Sequence, residues 1–427
     1  MSKKIYDPIH GYMDIDPYAL AVIDSIPFKR LRQIKQLGTC YEVFPGASHN
    51  RFEHSIGVYH LSNKMIDSLN HKSKQAAAVI DPKQAQLISI AALAHDLGHG
   101  PYSHIFDNEL IPLYQSTNGL QPTIYNEHEV RSGMLIEHIL EDINKRGKLD
   151  FKITGYDIDF IQRIIHPQEG DKNYLFQIVA NDMNGIDVDK LDYIQRDICN
   201  IGLNYSYDYD RIINDAKVID GNICYPSKIR YQIFDMFYTR YRLHKEVYNH
   251  PVAKSVEYMV RDILLESEEY LGLAKSINTL DFIKYTDNIL PQIWNSSEPG
   301  LENARSLYKR IQERDLYKYL GEIKYTHGEI DRDFLIDFVS ESVEKDQFIV
   351  QDMHIGFSNT NENPLNNVLF YHSKTPEISF QINPDNLTKI LPSSYEERTL
   401  RVFAKNKESQ SSLSQKCGSL DGFLLNP

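Results

Sequence analysis

Residues Ala94 to His104 read AHDLGHGPYSH, a His95-Asp96 doublet followed within eight residues by His99 and His104. Upstream, Leu87, Ile90, Ala91 and Ala94 keep helical spacing, and Gly98, Gly100 and Pro101 then interrupt it, so Pro82 to Leu97 reads as a buried helix. The doublet therefore lies at that helix's C-terminal end. Successive helical side chains point about 100° apart, so His95 and Asp96 can share one ion only if it sits across the broken end.

Two further segments complete the pattern. NRFEHS supplies Arg51, Glu53 and His54, with His54 on the same inward stripe as Val58, Leu61 and Met65. NGIDVDKLDYIQRD supplies Asp189, Lys190, Tyr193 and Asp197, and the four-residue steps from Asp189 to Tyr193 to Asp197 put these three on one helix face. His54, His95, Asp96 and Asp189 make a set of two imidazoles and two carboxylates, which suits Fe, Mn, Zn or Ni rather than Ca. Open coordination positions would admit water and a phosphate oxygen. Each part alone reads more simply as a buried, hydrogen-bonded side chain; their joint occurrence beside phosphate-type chemistry favours the metal.

A polyphosphate needs several cations and donors, since an unpaired buried charge is costly. The candidates are Arg51, His99, His104, Lys190, Tyr193 and Arg240. Arg240, His244 and Tyr248 lie four apart and can line one wall, whereas Arg242 and Lys245 compete as a solvated basic face. His128 and Asp107 form a proton relay if their side chains meet.

The 427 residues exceed what one hydrophobic core usually supports. Helical periodicity fills most of the first 270 positions, while β-like alternation appears around 347–350, 367–372 and 377–382. The expected fold is mainly α: an all-helical core over 1–323, a smaller α/β C-terminal lobe over 324–405, and a flexible Ser- and Gln-rich tail over 406–427. A net charge of -13 argues against a sequence-independent grip on nucleic acid. Cys40, Cys199, Cys224 and Cys417 form no CxxC pair, and neither a GxxxxGK[ST] loop nor a Rossmann glycine fingerprint occurs. MSKKIYDPIH has no apolar signal core and no stretch suits a membrane span, so the expectation is a soluble, intracellular protein of nucleus or cytoplasm.

The order His54, His95-Asp96, Asp189 resembles the HD-domain superfamily of metal-dependent phosphohydrolases. DPIHGYMDI, IKQLGTCYEVFPGASHNRFEHSIGV, AHDLGHGPYSHIFD, NGIDVDKLDY and TDNIL look more specifically like the catalytic core of the sterile-alpha-motif and HD-domain deoxynucleoside triphosphate triphosphohydrolases, from about Lys3 to Lys405. DPIHG begins at Asp7, so a core without the sterile-alpha-motif domain is expected. The resemblance implies hydrolysis of a deoxynucleoside triphosphate at the α-phosphorus to deoxynucleoside and triphosphate, lowering cellular pools. It carries metal ligation to His54, His95, Asp96 and Asp189, with Fe, Zn or Mn there and Mg accompanying bound nucleotides. It carries phosphate contacts to Arg51, His99, His104, Lys190, Tyr193 and Arg240. Gln36 and Asp197 are implied for the sugar 3′-hydroxyl, Leu37 and Tyr248 for crowding C2′, and Asn249 beside the sugar. His128 with Asp107 matches a catalytic dyad, and His104 matches a proposed acid for the leaving oxygen.

The resemblance also implies a homo-oligomer, dimer to tetramer, activated by GTP or dGTP and by a deoxynucleotide. Asp24, Lys29, Arg32, Arg314 and Lys318 fall at the guanine site, with Lys29 where the family usually has Gln. Lys3, Val43, Phe44, Arg211, Lys228 and Lys405 fall at the allosteric nucleotide sites, where Pro226 and Pro251 replace basic residues. Two rival readings are another HD-domain nucleotide phosphohydrolase or phosphodiesterase, and a non-catalytic nucleotide sensor or single-stranded nucleic-acid binder. Antiviral defence and replication-linked pool control would share one chemistry.

Overall fold

The computed structural model describes residues 3–72, 79–147, 152–205, 207–325, 330–358, 362–383, 392 and 394–426. The chain divides into two compact units that interleave in sequence: Met1–Arg240 with Gly272–Ile289 and Asn363–Leu391, and Tyr241–Leu271 with Leu290–Glu362 and Pro392–Pro427. The expected continuous division at 323/324 is therefore replaced by one in which each unit takes several segments.

The first unit opens with a hairpin of strands β1 (Lys3–Asp7) and β2 (Gly11–Ile15), in register from Lys3↔Ile15 to Asp7↔Gly11. Helix α1 (Arg51–Lys72) buries Val58, Leu61, Met65 and Leu69 along one stripe. Helix α2 (Pro82–Ala94) starts in a reciprocal cap: the Asp81 carboxylate accepts from the Lys83 and Gln84 amides, and Gln84 Oε1 accepts from the Asp81 amide. Pro82 at the first helical position costs no hydrogen bond there. From Leu87 to Ala94 every residue of α2 is buried, the mark of a helix enclosed on all sides.

Helices α3 (His128–Arg146), α4 (Gly155–Ile165) and α5 (Val188–Ile201) complete the core, with α1 against α2 and α5, and α4 against α2 and α3. α2 stops at Ala94, earlier than Leu97, and the chain turns through His95–Gly98. A Cβ on Gly98 would lie 2.0 Å from the His128 carbonyl oxygen, so glycine is what lets α3 begin against this turn. Tyr102 and Ser103 then adopt φ of 60° and 56°. Such a conformation costs a non-glycine residue on the order of 1–3 kcal/mol and needs support from its surroundings.

That support comes from Asp287 of the TDNIL segment, whose carboxylate accepts from the amides of Tyr102 (2.7 Å) and Lys35 (2.7 Å). A four-stranded sheet in the same unit runs in the order 217–219, 222–226, 369–372, 375–381. The alternating segments near 367–372 and 377–382 thus belong here and not to a C-terminal lobe, because Tyr225 and Pro226 pair in parallel with Phe370 and Tyr371.

In the second unit an antiparallel sheet runs 424–425, 318–324, 396–404, 348–356. The tail is ordered there, contrary to the sequence expectation. Asn406 caps helix Lys407–Gly418, and Leu413, Cys417 and Phe423 join Leu320, Ile323, Val350, Leu400 and Val402 in one core. A few apolar residues suffice because they complete a core that other segments supply.

Candidate active site

The end of α2, the first turn of α1 and the first turn of α5 bring His54, His95, Asp96 and Asp189 together. His54 Nε2 lies 3.0 Å from Asp189 Oδ1 and 3.6 Å from Asp96 Oδ2. His95 Nε2 lies 3.3 Å from Asp189 Oδ1 and 3.4 Å from Asp96 Oδ1. His95 Nδ1 donates to the Ala92 carbonyl at 2.8 Å, which leaves Nε2 as the bare nitrogen; that atom is buried and lacks a hydrogen-bond partner. His54 Nδ1 donates to Asp192 Oδ2 at 2.7 Å, which likewise turns Nε2 towards the cluster.

Electrostatics agree with a cation at this point. Burial opposes ionisation of Asp189 and Asp96, yet the hydrogen bond from His54 and the field of the nearby His95 ring hold Asp189 well below the usual carboxylate range, and Arg51, His95 and His99 do the same for Asp96. Burial also opposes charge on His54, and hydrogen bonds to Asp189 and Asp192 outweigh it, pushing the imidazole up to about 10. Buried His54 and Asp96, with half-buried His95 and Asp189 beside them and one orphaned nitrogen among the four, make a donor set that fits a divalent transition-metal ion.

Beside this cluster Arg51 is buried, with Nη1 2.5 Å from Asp96 Oδ2 and Nε donating to Ser103 Oγ at 2.8 Å. The strained turn thus holds the guanidinium that touches the candidate ligand Asp96. His99 Nε2 lies 3.3 Å from Asp96 Oδ1, and its ring edge meets His104, which is exposed, at a centroid distance of 5.4 Å. Lys190 Nζ donates to Asp187 Oδ2 at 2.7 Å. Burial raises the Tyr193 phenol, against the lowering fields of Arg240 and Lys190.

The expected dyad is corrected. Asp107 Oδ2 accepts from His99 Nδ1 at 2.7 Å, and its other oxygen binds Arg131, a fully buried guanidinium. His128 instead stacks on His99, centroids 3.8 Å apart, with Nδ1 3.2 Å from Glu129 Oε2. Arg131 donates to Gly98, Tyr125 and Asn126 carbonyls, so it fixes Asp107 where His99 and not His128 is within reach. Burial and the field of His99 lower the His128 imidazole well below its ordinary value, leaving it neutral.

Gln36 is buried with Oε1 unpaired, and Leu37 is half-buried. Asp197 Oδ1 lies 2.6 Å from His49 Nε2, both buried. His244, Tyr248 and Asn249 lie in the second unit, the His244 and Tyr248 rings edge to face at 4.9 Å. Among the candidates for allosteric sites, Lys29 Nζ lies 3.2 Å from Asp24 Oδ1, and Arg32 sits 3.5 Å over the Phe52 ring. Lys228 and Arg211 approach Asp215 at 3.2 and 3.8 Å, Lys3 is exposed on β1, and Val43 and Phe44 are half-buried. In the second unit Lys405 Nζ donates to Asp262 at 2.8 Å, Arg314 is exposed with φ 58°, and Lys318 begins a strand.

Sequence reasoning missed Asp192, His49, Ser103, Arg131 and Asp287. A faint signal existed for Asp192, three residues after Asp189 and four before Arg196 on α5; the others reach the site only through the fold.

Comparison with known proteins gives concordant matches. A model described as HD domain matches residues 51–197, and one described as HD associated region matches 207–350. A deoxynucleoside triphosphate triphosphohydrolase SAMHD1 homolog of Dictyostelium discoideum is 36% identical over 417 residues, 95% of this chain and 78% of that protein. Deoxynucleoside triphosphate triphosphohydrolase SAMHD1 of Homo sapiens is 34% identical over 96% of this chain and 71% of its own length. A putative HD domain-containing protein of Acanthamoeba polyphaga mimivirus is 32% identical over 95% and 93% respectively.

Proposed function

Because this chain belongs to the HD-domain deoxynucleoside triphosphate triphosphohydrolase family, we propose that it hydrolyses deoxynucleoside triphosphates to deoxynucleoside and inorganic triphosphate. The observation that carries the reading is the juxtaposition of the four-ligand cluster with Arg51, which is bonded to the ligand Asp96 itself. A divalent ion held by His54, His95, Asp96 and Asp189 would polarise a phosphoryl oxygen and acidify water.

The chain's own residues supply the rest. Arg51, Lys190 and Arg240 are assigned to neutralise phosphate charge as fixed cations. Asp107 holds Nδ1 of His99, so Nε2 is the nitrogen that faces the reacting phosphate. His104, exposed beside His99, is assigned the proton for the departing 5′-oxygen. The unpaired Gln36 Oε1 and Asp197 are assigned to the sugar 3′-hydroxyl, because a buried acceptor gains most from a donor that water cannot replace. Leu37 is assigned to discrimination at C2′. Activation by a guanine nucleotide and a deoxynucleotide, in a dimer or tetramer, is the regulatory part of the proposal. The Lys29–Asp24 ion pair then competes with a guanine base for Asp24.

The test is chromatography of products after incubation of purified protein with each deoxynucleoside triphosphate, with Mn or Mg and with or without GTP. Deoxynucleoside with intact triphosphate is expected. Monophosphate with pyrophosphate would move the attack to another bond, and absence of turnover in every condition would leave a nucleotide sensor.

A further inference from the structure

The DPIHG segment, so far without a role, ends in a side chain one carboxylate away from the metal cluster. We propose that His10 is a positioning residue for the metal ligand His54, acting through the buried Asp192. His10 Nε2 lies 2.6 Å from Asp192 Oδ1, and the two side chains are 1% and 0% exposed. Asp192 Oδ2 receives His54 Nδ1 at 2.7 Å and Arg196 Nε at 2.8 Å, and Oδ1 also receives Arg196 Nη2 at 3.0 Å.

Arg196 can only donate, and it meets both Asp192 oxygens in a buried ion pair, so the side chain facing His54 is a carboxylate. An ionised carboxylate only accepts, so every nitrogen facing it must carry a proton. This assigns Nδ1–H to His54, so that Nε2, 3.0 Å from Asp189 Oδ1, is the nitrogen that gives up its proton to hold an ion, the tautomer a metal ligand needs. It also assigns Nε2–H to His10, whose Nδ1 accepts from the Tyr209 hydroxyl at 3.4 Å.

The turn that presents His10 is built by the same network. Asp7 Oδ1 accepts from the amides of Ile9 (2.8 Å) and His10 (3.0 Å), while Asp7 Oδ2 receives Arg196 Nη1 at 2.9 Å. Asp7, Arg196 and Asp192 thus fix His10 at its backbone and at its ring. Without the His10 donor, Asp192 Oδ1 loses its shortest contact and keeps only Arg196 Nη2 at 3.0 Å, so the carboxylate that orients His54 is held less tightly.

The inference rests on the metal reading of the site and is independent of the substrate. The test is cobalt(II) titration of the full chain after chelator treatment, followed by the visible d–d spectrum and by competition with a chelator. His10→Phe keeps an aromatic ring without the donor and is expected to bind cobalt about 10- to 100-fold more weakly, with an altered spectrum. His10→Gln presents an N–H at nearly the same reach and is expected to stay close to wild type. Equal affinity in wild type, His10→Phe and His10→Gln overturns the inference, as does equal loss in both variants. A His10→Phe protein that does not fold leaves the Gln variant to decide, against His10→Leu. Wild-type protein that takes up no cobalt overturns the metal reading and this inference with it.

Discussion

Gly57 lies inside α1, where helix propensity alone says that alanine stabilises by about 1 kcal/mol. The structure predicts the opposite sign. A Cβ at this position would meet Asp192 Oδ1 at 2.0 Å, Arg196 Nη2 at 2.5 Å and Asp192 Cγ at 2.7 Å. Neither group can swing aside, because Asp192 and Arg196 are fully buried and bonded to each other, to His10, to His54 and to Asp7. Relieving the overlap means pushing the carboxylate off its donors, and breaking a buried ion pair costs about 3–5 kcal/mol. Against the propensity gain, Gly57→Ala should therefore lose on the order of 2–4 kcal/mol. The assay is the urea midpoint of the chelator-treated chain, read beside cobalt affinity. Gly133→Ala in α3 is the control, since its Cβ would meet only the flexible Gln162 side chain at 3.2 Å. A Gly57→Ala midpoint equal to or above wild type, with cobalt affinity retained, would refute the argument that this network is rigid and coupled to the metal ligands.

Three further outcomes follow from the site. Removing the imidazole in His99→Ala should lower kcat by on the order of 10² with little change in KM. His128→Phe, which keeps the ring stack, should lose far less; equal losses would return the direct role to His128. Asp287 is pushed up to about 6, because burial outweighs the Tyr102 and Lys35 amides that favour its charge. Protonation of Asp287 favours the fold, so wild type should gain about 3 kcal/mol relative to Asp287→Asn as pH falls from about 6 towards 3.8, the unfolded value. Paired urea midpoints at several pH values read this, and a constant difference would contradict it. Leu37→Ala should raise the ribonucleotide-to-deoxynucleotide ratio of kcat/KM by about tenfold or more, the scale of a small apolar contact; an unchanged ratio removes Leu37 from sugar selection.

The candidate metal cluster was legible because its side chains sit in local patterns. The His95-Asp96 doublet at a helix end, His54 on an inward stripe, and Asp189 opening α5 are each written within a few residues. The His99–Asp107 pairing was not legible. His128, His99 and Arg131 all lie near Asp107 in space, and only the buried hydrogen bonds of Arg131 decide which imidazole its carboxylate meets. The tail was misread for a related reason: its apolar residues are sparse, and what orders them is the core contributed by strands 318–324, 348–356 and 396–404.

The sequence by itself determined the helical character of the body, the candidate metal ligands and the family, since periodicity, capping and short motifs are properties of neighbouring residues. The tertiary structure decided how the chain divides into units, which imidazole Asp107 orients, and the tautomers of His54 and His95. Those depend on partners such as His10, Arg196 and the Ala92 carbonyl. A buried polar atom must find a partner wherever the fold supplies one, and most of those partners lie far away in the chain.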